Sequence, residues 1–283
     1  MPIDDMLSEL AESKATGALK AGRSGTVYLS KGRVCYVECA RTPTVEELLT
    51  VTGRMTAHGV KTARQTTAAT ADGGDLLVRK GVLSRGELQL CVLGATLDAS
   101  FFLFGANVPK PRFREGDRHW LGIHWFFDVP GLFRECHRRR ARLDRAWPSA
   151  ELDSRPVVPV RRIRSHHVIL TALQWEILLN ADGETTPIEL AKRIGRPAYT
   201  TLLAVREMAA AGLLETPEAR PPEPPPPETR RPDLPKRVAG AAPRPEPPHG
   251  NGPPPRSSFP EISGDPSDVN LLIRLRNALE AFQ

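Results

Sequence analysis

Hydrophobic positions along this chain change period several times, and each change marks an element. Met6, Leu7 and Leu10 fall at helical spacing, which predicts a helix over 4–14. Residues 16–21, 26–30 and 34–39 then read as strands with apolar residues in near-alternation. Residues 22–25 supply the first turn and Lys31-Gly32-Arg33 a hairpin turn. Residues 52–74 are rich in Thr, Ala and Gly and weakly patterned, so they read as a divergent helix or a mobile insertion. Ser84 and Glu87 form a capping box, and the helix it opens runs through Cys91, Val92, Ala95 and Leu97 towards Phe104. Residues 109–127 are aromatic and read as one or two half-buried strands. Asp128 caps a helix to about Trp147, with Val129, Leu132, Phe133, Cys136, Leu143 and Trp147 inward. Its opposite face carries Arg134, His137, Arg138, Arg139, Arg142 and Arg145, either a solvated surface or a footprint for an acidic partner.

The first part of this pattern resembles a known family. Thr16, Gly17, Leu19, Gly25, Tyr28, Leu29, Gly32, Arg33, Val34 and Tyr36 carry the phrasing of the small N-terminal domain of bacterial PatA-type regulators. Residues 76–88 resemble a later element of the same family. The resemblance implies an α+β domain in a bacterial signalling setting, without a known ligand.

The stretch from 166 to 216 is the most heavily punctuated. Val168, Ile169 and Leu170 read as a short strand, and Thr171 caps a helix with Leu173, Trp175, Ile177, Leu178 and Leu179 in its stripe. Asp182-Gly183 is a turn. Thr186-Pro187-Ile188-Glu189 is a capping box with proline at the first helical position, and Gly195 closes that helix. Pro197 opens a third helix with Leu202, Val205, Met208 and Ala209 on one face. This order, with its Ala-Gly-Leu-Leu-Glu exit, resembles a winged helix-turn-helix domain. The resemblance implies a third helix that lies in the DNA major groove, its open face showing Tyr199, Thr200, Leu203, Arg206 and Glu207. Arg196, Tyr199, Thr200 and Arg206 are then the expected DNA contacts, with Arg161, Arg162 and Arg164 on the flanking phosphates. Leu203 and Glu207 suit groove reading poorly, so a protein-binding winged helix stands beside the DNA-binding one.

Composition changes the picture at the end of the chain. Eighteen of the 28 prolines lie between Pro217 and Pro266. Proline lacks the N–H that helices and ladders need, and few apolar residues offset the cost of ordering, which predicts a disordered, semi-rigid tether. Ser267 can then cap a sixteen-residue amphipathic helix. Its stripe is Leu271, Leu272, Leu275, Ala278, Leu279 and Phe282. Such a helix is marginal alone, so the stripe is expected to dock, on a protein partner or on the chain's own domains. The expected organisation is an α+β domain over 1–147, a basic linker over 148–165, a winged-helix-like domain over 166–216, the tether over 217–266 and the docking helix over 267–283.

The formal net charge is +6 and the isoelectric point about 9.4, a modest lean towards acidic partners. The N-terminus lacks the pattern of a signal peptide, and no apolar run approaches the eighteen or so residues of a membrane span, which points to the cytoplasm and reduced thiols. Cys35 and Cys39 sit about 13 Å apart if strand geometry holds, too far for a disulfide or one shared metal ion. No phosphate-binding glycine loop, HExxH, GxSxG or CxxC occurs. Asp117, His119 and His124 lie among tryptophans but read as a buried edge. No cofactor or metal is expected. A non-enzymatic regulator contacting DNA and an adaptor binding proteins are the two readings that remain.

Overall fold

Strand parity explains the centre of the molecule. In the computed structural model, which describes residues 3–105, 111–163 and 167–216, β1 (Gly17–Lys20), β2 (Gly25–Ser30), β3 (Arg33–Cys39) and β4 (Arg112–Glu115) form one antiparallel sheet in the order β3-β2-β1-β4. Leu29 pairs with Val34 but Tyr28 pairs with Tyr36, so Cys35 is the extra residue of a β-bulge. That single insertion switches parity along β3. Val34, Val37, Leu29, Val27 and Leu19 therefore share one face, while Tyr28 and Tyr36 pack on the other.

The first face is covered by α1 (Ile3–Glu12), the C-terminal half of α5 (Arg85–Leu103) and α6 (Val129–Ala146). α5 is long and apolar enough to cross a membrane by length and composition alone, contrary to the reading of the sequence. It is instead a core helix: 67% of its apolar window is buried. Burial on several sides is why it carries apolar residues all round. The second face is covered by α2 (Val45–Val51), α3 (Ala57–Thr66), α4 (Gly73–Arg79) and the start of α5. The weakly patterned stretch 52–74 is thus mostly helical. Gly73 and Gly74 let α4 approach the aromatic loop closely: their N–H groups donate to the carbonyls of Trp120 and Leu121 at 2.9 Å. A Cβ on Gly73 would lie 2.2 Å from the Trp120 ring.

Of the expected strands over 109–127, β4 alone forms within the described residues. Gly116 and Gly122 take positive φ and break the run. The aromatic side chains are then fixed one at a time: Trp120 Nε1 donates to Glu46, Trp125 Nε1 donates to the Gln89 carbonyl, and Phe127 makes a single bridge to Val34.

The last three helices are α7 (Ala172–Asn180), α8 (Pro187–Ile194) and α9 (Ala198–Ala210). Both expected caps are present as full capping boxes, Thr171 with Gln174 and Thr186 with Glu189, and Gly195 closes α8 at φ 67°. Two features of the winged-helix expectation change. Residues 168–170 form no strand; Ile169 is 89% exposed, and Leu170 alone of the run packs on the core of the last helices. The short pairing beside α9 uses residues 158–160 instead, through Val160 N–H to the Leu213 carbonyl and Glu215 N–H to the Val158 carbonyl. The expected boundary at 148–165 does not separate two bodies. Residues 3–216 fall within one compact unit, with α9 packed on α5 and α6 and α8 on α2. The tether and docking-helix expectations, 217–266 and 267–283, lie outside the described residues.

Candidate partner-binding groove

The expected DNA-reading face is the first test of function, and α9 turns it inward. Pro197 gives α9 no side-chain cap. Its first N–H groups are satisfied from α5, one hundred residues earlier: Asp98 accepts from Ala198 N–H at 2.5 Å and from Tyr199 N–H at 3.0 Å. The carboxylate also offsets the positive end of the helix dipole. Tyr199 is 4% exposed, edge-on to Phe101 at 5.2 Å, with the Arg139 guanidinium 4.5 Å over its ring. Arg139 in turn lies 3.6 Å from Asp98 and donates to Glu135.

Arg206 is 2% exposed. It donates twice to Asp153, at 2.8 and 2.6 Å, and to the Trp147 carbonyl at 2.8 Å, with Asp144 at 3.5 Å. Leu203 is buried in the same core as Phe101 and Leu132. Tyr199, Leu203 and Arg206 of the expected open face are therefore internal contacts with α5, α6 and the turn after α6, while Glu207 is exposed. Thr200 is half-buried and donates to the Pro197 carbonyl. Arg196 is exposed but bidentate on Glu176, at 2.7 and 2.5 Å. Arg161 and Arg162 are exposed, and Arg164 lies outside the described residues. The partner-binding residues expected in the tail, Leu271, Leu272, Leu275, Leu279 and Phe282, also lie outside them.

What the fold leaves open is an apolar groove. Residues of α2, of α5 and of the α8–α9 turn line it together. The cavity between them has a volume of about 510 Å³. Leu48 and Leu49 form one wall, Leu83 and Leu90 the other, and Cys91, Gly94 and Ala95 lie along α5 at the floor. Leu90 is 65% exposed, an unusual position for a leucine in the middle of a core helix. Glu87 with Arg54, 2.9 Å apart, and Asp98 with Arg196 mark the polar ends. The floor is low because its residues are small, and a Cβ on Gly94 would meet nothing within 4 Å. Gly94→Ala should accordingly raise stability by about 0.5–1 kcal/mol through helix propensity, read as a higher urea midpoint at unchanged slope.

Sequence patterning did not single out this groove. The signals were present but faint: Thr44 and Glu47 form another capping box that places α2, and Leu90 falls off the buried face of α5. Whether that leucine meets solvent depends on how far α2 stands from α5, which periodicity does not encode.

A second grouping lies over Tyr28 and Tyr36. Ligand atoms of Glu38, Glu46 and His119 all lie within 4.8 Å of one another, beside a cavity of about 290 Å³. Hydrogen bonds hold most of the grouping together, while the buried Glu46 Oε2 has no hydrogen-bond partner. Leu121 N–H lies 3.4 Å from His119 Nδ1, an arrangement that favours the tautomer in which Nε2 donates to Glu38, 3.2 Å away. Tyr28 donates to the other Glu38 oxygen, and Trp120 donates to Glu46 at 2.6 Å. Burial pushes the Glu38 carboxyl up, but the hydrogen bonds from His119 and Tyr28 outweigh it and hold it below the usual range. A metal ion on Nε2 would displace the His119–Glu38 hydrogen bond and put the Nδ1 proton beside the Leu121 N–H.

All four cysteines are free; Cys35, Cys39 and Cys136 are buried and Cys91 is half-buried. On comparison with known proteins, no family model, no curated protein and no solved structure matches this chain.

Proposed function

We propose that this protein is a non-enzymatic regulatory adaptor that captures an amphipathic helix in the groove between α2 and α5. One observation carries the reading. Tyr199, Leu203 and Arg206, on the side of α9 that a winged helix offers to DNA, are buried, while an apolar cavity of about 510 Å³ lined by α2 and α5 is open. Apolar side chains along a groove gain in proportion to the area a docked helix removes from water, which is how helix-in-groove recognition gains affinity. The PatA-type resemblance supports a bacterial signalling setting, and the buried free thiols agree with a cytoplasmic one.

A second reading, contact with nucleic acid, now rests on other residues. Arg134, Arg138, Arg142 and Arg145 are exposed along one side of α6, with Arg161 and Arg162 exposed beyond it. Such a stripe suits phosphates and not base edges.

One experiment separates the two. Full-length protein carrying Leu90→Arg should fold normally, because the side chain is mostly solvated, yet lose the protein that co-purifies with the unmodified chain. Retention on duplex DNA at physiological salt should be absent. Salt-dependent retention abolished by Arg138→Glu with Arg142→Glu, together with a partner indifferent to Leu90→Arg, would replace the adaptor reading by the nucleic-acid one.

A further inference from the structure

We infer that the groove has an occupant in the same chain: residues 268–283 dock there as an amphipathic helix, so that a partner must displace the protein's own tail. The inference rests on the groove reading above and adds regulation to it.

The two surfaces match in length. From Glu87 to Asp98 the floor of the groove runs eleven residues along α5, about 16 Å at 1.5 Å per residue. From Leu271 to Phe282 the apolar stripe of the tail also spans eleven residues, about 16 Å as a helix. They match in shape as well. A Cβ on Gly94 would meet nothing within 4 Å, which leaves room for a second helix to approach α5, and Leu48 and Leu90 line the same cavity as apolar partners for the tail's leucines.

The connection reaches. A connection of fifty residues, the length of 217–266, would span about 40 Å if it were a flexible coil and up to about 150 Å in the polyproline conformation. A folded body of this size has a radius of gyration of about 17 Å, so every face lies within range. A tether of this kind gives an effective concentration on the order of 1 mM. A tail that bound only weakly as a free peptide, with Kd about 100 μM, would then fill the groove about nine-tenths of the time. That is tight enough to exclude weak competitors and loose enough to yield to a partner of micromolar affinity at sufficient concentration.

The exposed apolar residues of α7, Trp175 and Leu179, offer the tail no comparable seat. They stand on a convex helix, 55% and 65% exposed.

Cys91 reports on the groove directly. It lies on the floor and is half-buried, whereas Cys35, Cys39 and Cys136 are buried. In the full-length protein, N-ethylmaleimide should modify Cys91 slowly. The full-length variant Leu275→Asp with Leu279→Asp should react about tenfold faster at Cys91, and a synthetic 267–283 peptide added to that variant should restore protection. Gly94→Leu introduced into the variant, which fills the floor, should abolish protection by the peptide.

A second measurement guards against a change in folding. The double variant Leu90→Cys with Leu275→Cys should cross-link within one chain, shown by mass spectrometry of mixed light- and heavy-isotope copies. Equal Cys91 rates in the presence and absence of the tail stripe would overturn the inference, as would cross-links between copies alone. Neither result touches the adaptor reading, which fails only if Leu90→Arg leaves partner capture intact.

Discussion

Arg206→Ala should destabilise the protein by about 3–5 kcal/mol, the range for removing one member of a buried charge group. The mutation deletes a guanidinium that is 2% exposed, strands the Trp147 carbonyl and leaves Asp153, largely buried, without its cation. For a unit of this size that corresponds to a fall in Tm of roughly 10 °C. Arg206→Met keeps most of the volume and should cost less, because the thioether chain refills the space even though the carboxylate is still stranded. The measurement is thermal or urea unfolding of the full chain. A DNA-reading arginine on an open helix face would give the opposite pattern, near-normal stability with weakened DNA binding, so the two roles are separable in one variant. A loss under 1 kcal/mol would mean that Arg206 is not held as described.

Asp98→Ala should cost about as much, about 3–5 kcal/mol, for a different physical reason. Its carboxylate is the only cap on the first turn of α9 among the hydrogen bonds described, and it faces Arg139 in the same buried space. Alanine leaves two N–H groups of α9 without an acceptor, away from water, and removes an anion from beside a buried guanidinium. Asp98→Asn retains an acceptor of the right size, and asparagine is as good an N-cap as aspartate, so its cost should fall to about 1–2 kcal/mol. Hydrogen exchange adds a positional readout. In Asp98→Ala the amides of α9 should lose protection before those of the sheet, because Asp98 joins the last three helices to the rest. Uniform loss across the molecule would show that the two halves unfold as one unit and that the link is not local.

Local signals in the chain were legible where a few adjacent residues decide the outcome. The Ser84–Glu87, Thr171–Gln174 and Thr186–Glu189 starts, the Asp128 cap and the Gly195 stop all depend on side chains within four positions of the backbone they satisfy. The three strands after α1 were likewise readable, although the bulge at Cys35 was visible only as imperfect alternation. What periodicity could not supply was the identity of the neighbour. Leu203 and Arg206 lie off the Leu202, Val205 and Met208 stripe, which makes them look outward on an isolated helix. They are inward because α5 and α6 cover a second side of α9, and that contact joins residues about sixty to one hundred positions apart. The aromatic loop after β4 failed for a related reason. Its alternation resembles a strand, but Gly116 and Gly122 turn the backbone and each ring finds a partner of its own.

The groove shows the same limit from the other side. Leu48, Leu90 and Gly94 sit on helices whose existence was partly readable, yet no local pattern says that they line one cavity. A site made by the gap between elements is a property of their packing, and packing is where sequence reasoning without a template runs out.

The β4 strand carries a consequence for handling the protein. An outer strand with free backbone groups is a template on which further copies can stack into fibrils. β4 is four residues long, and Arg112, Arg114 and Glu115 stand exposed along it. A rim that brief and that heavily charged offers little purchase for an incoming strand. This edge of the sheet should therefore be a poor template for cross-β growth from the native state.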